Sequence, residues 1–330
     1  EIYDMDDETI YGPSFFEYTF GEAIEEEWLT DYQVVIVGVD EPTVKASIDK
    51  RELIAIEDDK YEDAETLASK ISVAKAIKDY DIKRMITYHN RVKEAQSFSH
   101  DFHDVLKLLN KKDKPKGLIW TDYISGQMNT KDRKIKLQQL KELDNSDRGI
   151  ISNAKCLSEG VDVPTLDGVA FIDPKGSKID IIQSVGRALR KSEEKNVGTI
   201  ILPVFLNKNA DDIKTIENSN FKPVWDVLKA LRSHDERLAD ELDNLRVSVG
   251  KKIKIKKSFP KKINLDFPKS LNQNFSNSLK TKLVIYTTEK WIDWYGLLNA
   301  YIENFKVLPN AKTSFENKNL GNWCGTQRKH

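Results

Sequence analysis

The stretch that decides the fold is GVAFIDPKGSKIDIIQSVGRALRKSEEKNVGTIILPVF, residues 168–205 of the 330-residue chain. It begins with a short apolar run, continues with apolar residues at helical spacing, and ends with a second, β-branched run. Strand-length runs on either side of a helix are typical of a βαβ unit, whose two strands are parallel and lie in one sheet. These residues therefore predict an α/β protein built on a parallel sheet.

The same alternation of strands and helices extends towards the N-terminus. Parallel sheets of this kind are covered by helices on both faces, and their ligands bind at the carboxyl ends of the strands. We therefore expect the loops after Ala154 and Asp173 at that edge, with the helix 181–190 beside them. Further strand-like runs are YQVVIVGVD (32–40), RMITYH (84–89), GLIWTDYIS (117–125) and RGIISNA (148–154), and helical periodicity marks 64–79, the segment from 89 to 110, and 130–143.

A glycine and two arginines distinguish the helix within the opening stretch. Gly186 costs about 1 kcal/mol relative to alanine in a helix interior, so we expect it to allow close approach of a neighbour. Arg187 and Arg190 leave the same face of the helix, and two converging guanidiniums suit a polyphosphate. In the preceding loop, Gly160 permits a tight turn and Asp162 offers a carboxylate. We expect the acid, the glycines and the arginines at one end of the sheet.

These residues resemble the motifs of superfamily 2 helicases (DEAD/DEAH-like, restriction-type). QSVGRALR (183–190) resembles motif VI, CLSEGVDVP (156–164) motif V and MITYHNRVKEAQSF (85–98) motif IV, in the order and at the spacing of the family. YISGQMNTKDRKIKLQQL (123–140) is similar to an element of restriction-type members, and residues 10–34 resemble the link that follows their first motor domain.

The resemblance implies a second RecA-like domain, in which Arg190 would be the arginine finger at the γ-phosphate of ATP and Arg187 its neighbour. The chain has no G-x-x-x-x-G-K-[ST] and no D-E-x-H/D box after an apolar strand, so the missing first domain would bind most of ATP and Mg²⁺. Residues implied at the nucleotide or the domain interface are Gln183, Gly186, Arg187, Arg190, Gly160 and Asp162. Residues implied along the nucleic-acid track are Tyr88, His89, Asn90, Ser125, Gly126 and Ser158. For His89, which follows a strand end, a buried and hydrogen-bonded imidazole is the alternative.

The C-terminal part has a different character, mostly helical and more basic. WIDWYGLLNAYIENF (291–305) followed by LGNWCGTQR (320–328) resembles the helicase-associated helical repeat, which we expect to be truncated at 330. Helical spacing predicts core packing for Trp291, Trp294 and Phe305, and Arg328 is the expected DNA contact. The predicted domains are an acidic linker from the missing first motor domain (1–31), a helicase C-terminal domain (32–206), a charged helical and basic linker (207–270) and the helical module (271–330).

Composition narrows the class of protein. Only two cysteines occur, far apart, which argues against a disulfide framework or a zinc site, and we expect no metal site, no membrane partner and a cytoplasmic location. Residues 1–31 contain no Lys or Arg, whereas after 250 basic residues outnumber acidic ones, which points to an anionic partner. The lysine-rich stretch 251–262 fits either a phosphate-binding arm or a solvated linker.

Together these features predict the second motor domain of an ATP-dependent DNA helicase or translocase. It would act on double-stranded DNA, with the first RecA-like domain in cis, and would be inactive on its own. The alternative is a non-catalytic nucleic-acid-binding module that retains the helicase fold and tolerates loss of Arg187 or Arg190. A nuclease-linked restriction subunit is a third hypothesis, but the sequence contains no P-D…E-x-K constellation.

Overall fold

A single parallel sheet forms the centre of the protein. The computed structural model describes residues 10, 12–13, 18–54, 64–154, 166–173, 177–192, 195–206, 221–252, 259–271 and 273–328. The seven strands have the order β3-β4-β2-β5-β6-β1-β7, and all pairings between them are parallel, so the predicted α/β sheet is confirmed. The strands are β1 (Asp31–Asp40), β2 (Arg84–His89), β3 (Ile119–Ser125), β4 (Arg148–Ala154), β5 (Gly168–Phe171), β6 (Val197–Leu206) and β7 (Ile263–Asp266).

Helices cover both faces of this sheet. Alternate residues of a strand point to opposite faces, and in β1 Val34 and Ile36 belong to one hydrophobic cluster while Val35 and Val37 belong to another. The helices are α1 (Phe20–Glu25), α2 (Glu41–Ile54), α3 (Ala64–Asp79), α4 (Val92–Leu108), α5 (Thr130–Glu142), α6 (Lys178–Ala188), α7 (Lys222–Arg232), α8 (Glu236–Gly250), α9 (Gln273–Thr287), α10 (Lys290–Phe305) and α11 (Leu320–Gln327), with a 3₁₀ turn at Lys111–Asp113.

The two clusters divide the helices into layers. Helices α3 and α4 contribute Val73, Ala74, Phe98 and Phe102 to one face of the sheet. Helices α5 to α9 contribute to the cluster on the other face. Helix α2 begins directly after Asp40, at the end of β1.

The region after the predicted boundary at 206 is tied to the sheet through part of its length. Strand β7 pairs with β1, Ile263 opposite Val34, and Phe221, Leu228 and Phe275 belong to the same cluster as the strands. Helices α10 and α11 form a small separate cluster around Leu297, Leu320 and Cys324. None of the helices within the described residues is both long and apolar enough to span a bilayer.

Candidate nucleotide and nucleic-acid interfaces

Helix α6, which carries Arg187 and ends just before Arg190, packs against the sheet and against α7. The Ser177 side chain caps its first turn by accepting a hydrogen bond from the Asp180 amide, which satisfies a donor that a helix start leaves unpaired. Ile181 and Val185 are buried against the sheet, whereas Gln183 is exposed. Arg187 is only 8% exposed, so the expectation that it lies with Arg190 on the open face of the helix is wrong, whereas Arg190 is partly exposed.

The arginine end of α6 lies at the amino edge of the sheet, not at the carboxyl edge. After β5 the helix runs back antiparallel to the strands, so its last turn reaches the point where β6 begins. A Cβ added to Gly198, the second residue of β6, would lie 2.5 Å from the Ala188 carbonyl oxygen. The expectation that Arg187 and Arg190 share one end of the sheet with the carboxyl-edge loops is therefore wrong, because a helix of this length crosses the whole sheet.

Gly186 does not serve close packing within the described part of the chain. A Cβ added at this position would meet no atom within 4 Å, so the expectation of a tight contact with a neighbouring element is wrong there. The glycine instead leaves the half-buried surface of α6 bare, one residue before Arg187.

The N-terminal link is docked on the arginine end of α6. The Thr30 amide donates to the Leu189 carbonyl over 2.7 Å, and Leu29 forms an antiparallel bridge with Arg190. Next to this bridge the Lys191 ammonium lies 2.8 Å from a Glu27 carboxylate oxygen in an exposed ion pair, which adds little to the backbone contacts. The arginine end is thus held by the segment that resembles the link to a first motor domain.

Lys195, which sequence analysis missed, is buried beneath the same helix end. It is 9% exposed, and its ammonium donates to the carbonyl oxygens of Leu166 at 3.0 Å, of Ala188 at 2.9 Å, and of Arg190. Burial lowers the pKa of Lys195 to about 8, with Asp167 acting in the opposite direction. The charged stretch KSEEKN carries no signal that separates this lysine from a solvated one.

The carboxyl edge brings two of the predicted nucleic-acid segments together. His89 at the end of β2 and Ser125 at the end of β3 are both register partners of Ala154 in β4. Just beyond, the exposed Gly126 donates its amide to the Ala154 carbonyl at 3.3 Å, and Asn90 is partly exposed. The motif IV residues and the Ser-Gly turn therefore line one edge, distant from the arginine end.

Three side chains of that set point into the protein. His89 is 6% exposed and hydrogen-bonds Thr87 Oγ1 through Nε2 at 2.8 Å. Burial, followed by the charge of Lys70, lowers the pKa of His89 to about 3, so the imidazole is neutral at physiological pH. Tyr88 stacks on Phe171 with ring centroids 5.4 Å apart, and the Ser125 side chain is also buried. Asn90 and Gly126 are the members of this set with exposed surface.

The predicted motif V residues Ser158, Gly160 and Asp162 lie outside the described residues. Arg328 is exposed at the end of α11. Among the side chains that the structure describes, no three His, Cys, Asp or Glu residues are grouped so as to hold a metal ion.

The predicted core packing of the C-terminal aromatic residues is wrong for two of three. Trp291 and Phe305 are 49% and 54% exposed, whereas Trp294 is partly buried and stacks on Trp323 with centroids 5.7 Å apart. Trp291 instead stacks on Tyr295 at 5.5 Å. Helical spacing identifies one face of α10, but the short α11 covers only part of it.

Comparisons with known proteins identify helicases as relatives of this chain. Residues 69–192 match the sequence model of the helicase conserved C-terminal domain. The probable helicase A859L of African swine fever virus (isolate Pig/Kenya/KEN-50/1950) is 27% identical over 243 residues, covering 73% of this chain and 25% of the viral protein. In the isolate Tick/South Africa/Pretoriuskop Pr4/1996 the identity is 39% over 95 residues, 29% of this chain and 10% of the relative.

Among solved structures, the ATP-dependent type ISP restriction-modification enzyme LlaBIII bound to DNA superimposes with a TM-score of 0.72 and 27% identity. The match covers 91% of this chain and 20% of that enzyme. The chain thus spans about a quarter or less of the length of these relatives.

Proposed function

Because this chain contains the C-terminal domain of a superfamily 2 helicase, we propose that it is the second motor domain of an ATP-driven DNA helicase or translocase. The first RecA-like domain would lie in the same polypeptide. The observation that carries this proposal is the surface of α6 away from the sheet, which presents exposed Gln183, bare Gly186 and, just past the helix end, partly exposed Arg190. Arg187, which follows Gly186 in the chain, is 8% exposed.

This surface fits one wall of a polyphosphate site. Guanidinium groups bind phosphate oxygens bidentately and keep their charge, and the missing Cβ at Gly186 leaves room for a group to approach the helix backbone. Within the chain there is no phosphate-cradling loop, so the opposite wall, with Mg²⁺, belongs to the first motor domain. ATP, once bound, supplies the phosphoryl group whose transfer to water releases energy.

The chain's own residues then have distinct tasks. Arg190 meets the charge that develops on the γ-phosphate when the two domains close, and Arg187 and Gln183 line the same interface. Asp162 and Gly160 of the motif V loop complete the nucleotide side. Closure and opening of the cleft would move the carboxyl edge relative to the first domain, which is how such a motor steps along a strand.

The nucleic-acid track would follow the carboxyl edge, where the Gly126 turn and Asn90 are exposed. The Gly126 N–H already donates to Ala154, so the Asn90 side-chain amide is the group that would hold a phosphate. Such a contact does not read bases, so sequence-independent binding is expected. Ser158 of the motif V loop and Arg328 of α11 would extend the contact. The track would be stabilised by three buried side chains that pack beneath this edge, those of Tyr88, His89 and Ser125. DNA is the proposed substrate, since LlaBIII was solved bound to DNA. The double-stranded form is the expectation from sequence and is tested below.

The proposal is tested by measuring ATP hydrolysis by the full-length protein with double-stranded DNA, single-stranded DNA or RNA of equal length. We expect hydrolysis to require Mg²⁺ and to be stimulated most by double-stranded DNA. DNA binding without stimulated hydrolysis would instead favour the non-catalytic binding module, the alternative function of this fold.

Gly186→Ala separates folding from function at the same helix. Alanine fits the open space there and favours a helix by about 1 kcal/mol over glycine, so the variant should resist urea at least as well as the wild type. If the bare surface faces phosphates, the added methyl group should nevertheless impair ATP hydrolysis. Urea unfolding and steady-state hydrolysis of the full-length protein check both outcomes; wild-type hydrolysis would contradict the placement of α6 at the nucleotide.

A further inference from the structure

The last turn of α6 ends in three consecutive carbonyls that all have donors. Helix ends leave such carbonyls without intrahelical partners, and here each is satisfied by a residue from elsewhere in the chain. The Thr30 amide donates to the Leu189 carbonyl, and the Lys195 ammonium donates to the carbonyls of Ala188 and Arg190. The backbone that carries Arg190 is thereby fixed from two sides.

Lys195 is matched to this environment in the number of its hydrogen-bond donors. An ammonium has three donors and no acceptor, and the three carbonyls of Leu166, Ala188 and Arg190 use all three donors. Positive charge is favourable at a helix C-terminus, because the helix dipole is negative there. A buried cation without such partners would be costly, so the site is built for this side chain.

The position of Leu166 gives the contact its significance. This fully buried residue follows the segment 155–165, which contains the motif V residues, and it precedes β5. Lys195 therefore connects Leu166, the first described residue after this segment, directly to the residue proposed as arginine finger. Gly198 allows the helix end to lie this close to the sheet, since a side chain there would strike the Ala188 carbonyl.

We propose that Lys195 is a positioning residue for ATP hydrolysis, which holds the backbone of Arg190 in place against Leu166, the residue just before β5. This inference rests on the proposed function of Arg190. Lys195 touches no nucleotide itself: it lies in a cleft at the amino edge that is lined also by Lys83, Arg84, Asp167 and Ser192. Its effect on hydrolysis would pass entirely through the backbone of α6.

Loss of the proton from Lys195 should weaken its contact with the end of α6. With a pKa of about 8, Lys195 loses one donor near that pH and can then satisfy only two of the three carbonyls. The charged groups around it are Asp167 before β5, Lys83 and Arg84 at the start of β2, Asp81 and Lys141 in the same cleft, and Arg187 and Arg190 on α6. The wild type should therefore show a decline of kcat above about pH 8.

Raising the pH above about 8 should affect the stability of the protein in the opposite direction to its activity. The pKa of Lys195 is lowered in the folded state, so folding disfavours the proton there, and the free energy of unfolding should rise as pH increases from about 8 towards the ordinary value of 10.5. A fall in kcat over a range in which stability rises cannot come from unfolding.

The experiment compares Lys195→Met and Lys195→Arg in the full-length protein, with Lys191→Met as the matched control at the exposed neighbour. Lys195→Met removes all donors at similar length, and misplacement of a catalytic group by about 1 Å costs roughly 10²-fold. We expect kcat to fall roughly 10- to 100-fold with KM for ATP nearly unchanged. Lys195→Arg, which stays charged, should recover much of kcat and lose the decline above pH 8, and Lys191→Met should resemble the wild type.

Hydrogen exchange in the amides of residues 186–192 provides a readout that needs no activity. These amides should exchange faster in Lys195→Met than in Lys191→Met. If the amides exchange faster in Lys195→Met but the wild type shows no ATP hydrolysis, the proposed function is refuted. The structural contact between Lys195 and the end of α6 would then still hold. A kcat for Lys195→Met within twofold of wild type, or a pH profile unchanged in Lys195→Arg, would overturn the positioning role. If Lys195→Met does not fold, the kcat and pH profile of Lys195→Arg test the positioning role instead.

Discussion

Arg190→Ala in the full-length protein is expected to lower DNA-stimulated ATP hydrolysis by about 10³- to 10⁵-fold, the range known for arginine fingers in GTPases. The loss should fall on kcat, because the guanidinium would meet charge that develops only in the transition state. Nucleotide affinity, measured with a fluorescent ATP analogue, should change little. Phosphate release with and without DNA gives the rate.

Two further variants test whether the loss of hydrolysis is specific to the guanidinium of Arg190. Arg190→Lys should restore little activity, because an ammonium lacks the bidentate geometry of a guanidinium. Lys178→Ala removes a positive charge from the exposed first turn of the same helix and should leave hydrolysis unaffected. Hydrolysis by Arg190→Ala within tenfold of wild type would remove Arg190 from the transition state and favour the binding module.

Asp235→Ala is expected to destabilise the protein by roughly 3 kcal/mol, the sum of a lost helix cap and unpaired buried partners. The Asp235 side chain is fully buried and accepts from the Tyr32 hydroxyl at 2.7 Å and from the Lys262 ammonium at 2.9 Å. It also caps α8 by accepting from the amides of Arg237 and Leu238 at 3.1 Å. Urea unfolding checks the loss.

The control is Asp240→Ala, which removes an exposed aspartate from the same helix and should change stability by less than about 0.5 kcal/mol. An equally small effect at Asp235 would mean that the three chain segments it joins are held by other contacts.

Acid should reproduce part of the effect of Asp235→Ala. Burial alone would raise the pKa of Asp235, but the hydrogen bonds from Tyr32 and Lys262 more than offset it, so the pKa lies below the ordinary 3.8. The stabilisation is complete above the ordinary value and is lost as pH falls through the lowered one. Asp235→Asn keeps an acceptor for the cap and should lack this dependence.

Regular elements were predictable where their signal is local. The strand 84–89, the strand 148–154 and the helix 64–79 have in the structure the bounds predicted from sequence. Apolar spacing within one element reports which side is buried, so the alternation of runs also implied a parallel sheet. Motif order in turn placed the second RecA-like domain. These inferences need only neighbouring residues.

Local patterns failed where a partner had to be known. Gly186 is bare and not packed among the described residues, because glycine in a helix has the same sequence signature in either role. Trp291 has helical spacing but is half-exposed, because the extent of α11 decides what is covered. His89 ends a strand, yet it lies inside the protein against Thr87.

The sequence by itself determined the parallel α/β architecture, the order of the motifs and the spacing of the two arginines within motif VI. Each of these depends on spacing along a short segment. Only the tertiary structure decided that β7 pairs with β1, that Asp235 joins Tyr32 to Lys262, and that Lys195 fixes the arginine end of α6. Those contacts depend on the burial of polar groups against elements distant in the chain. Burial of this kind leaves no periodic trace in the sequence around a single lysine or aspartate.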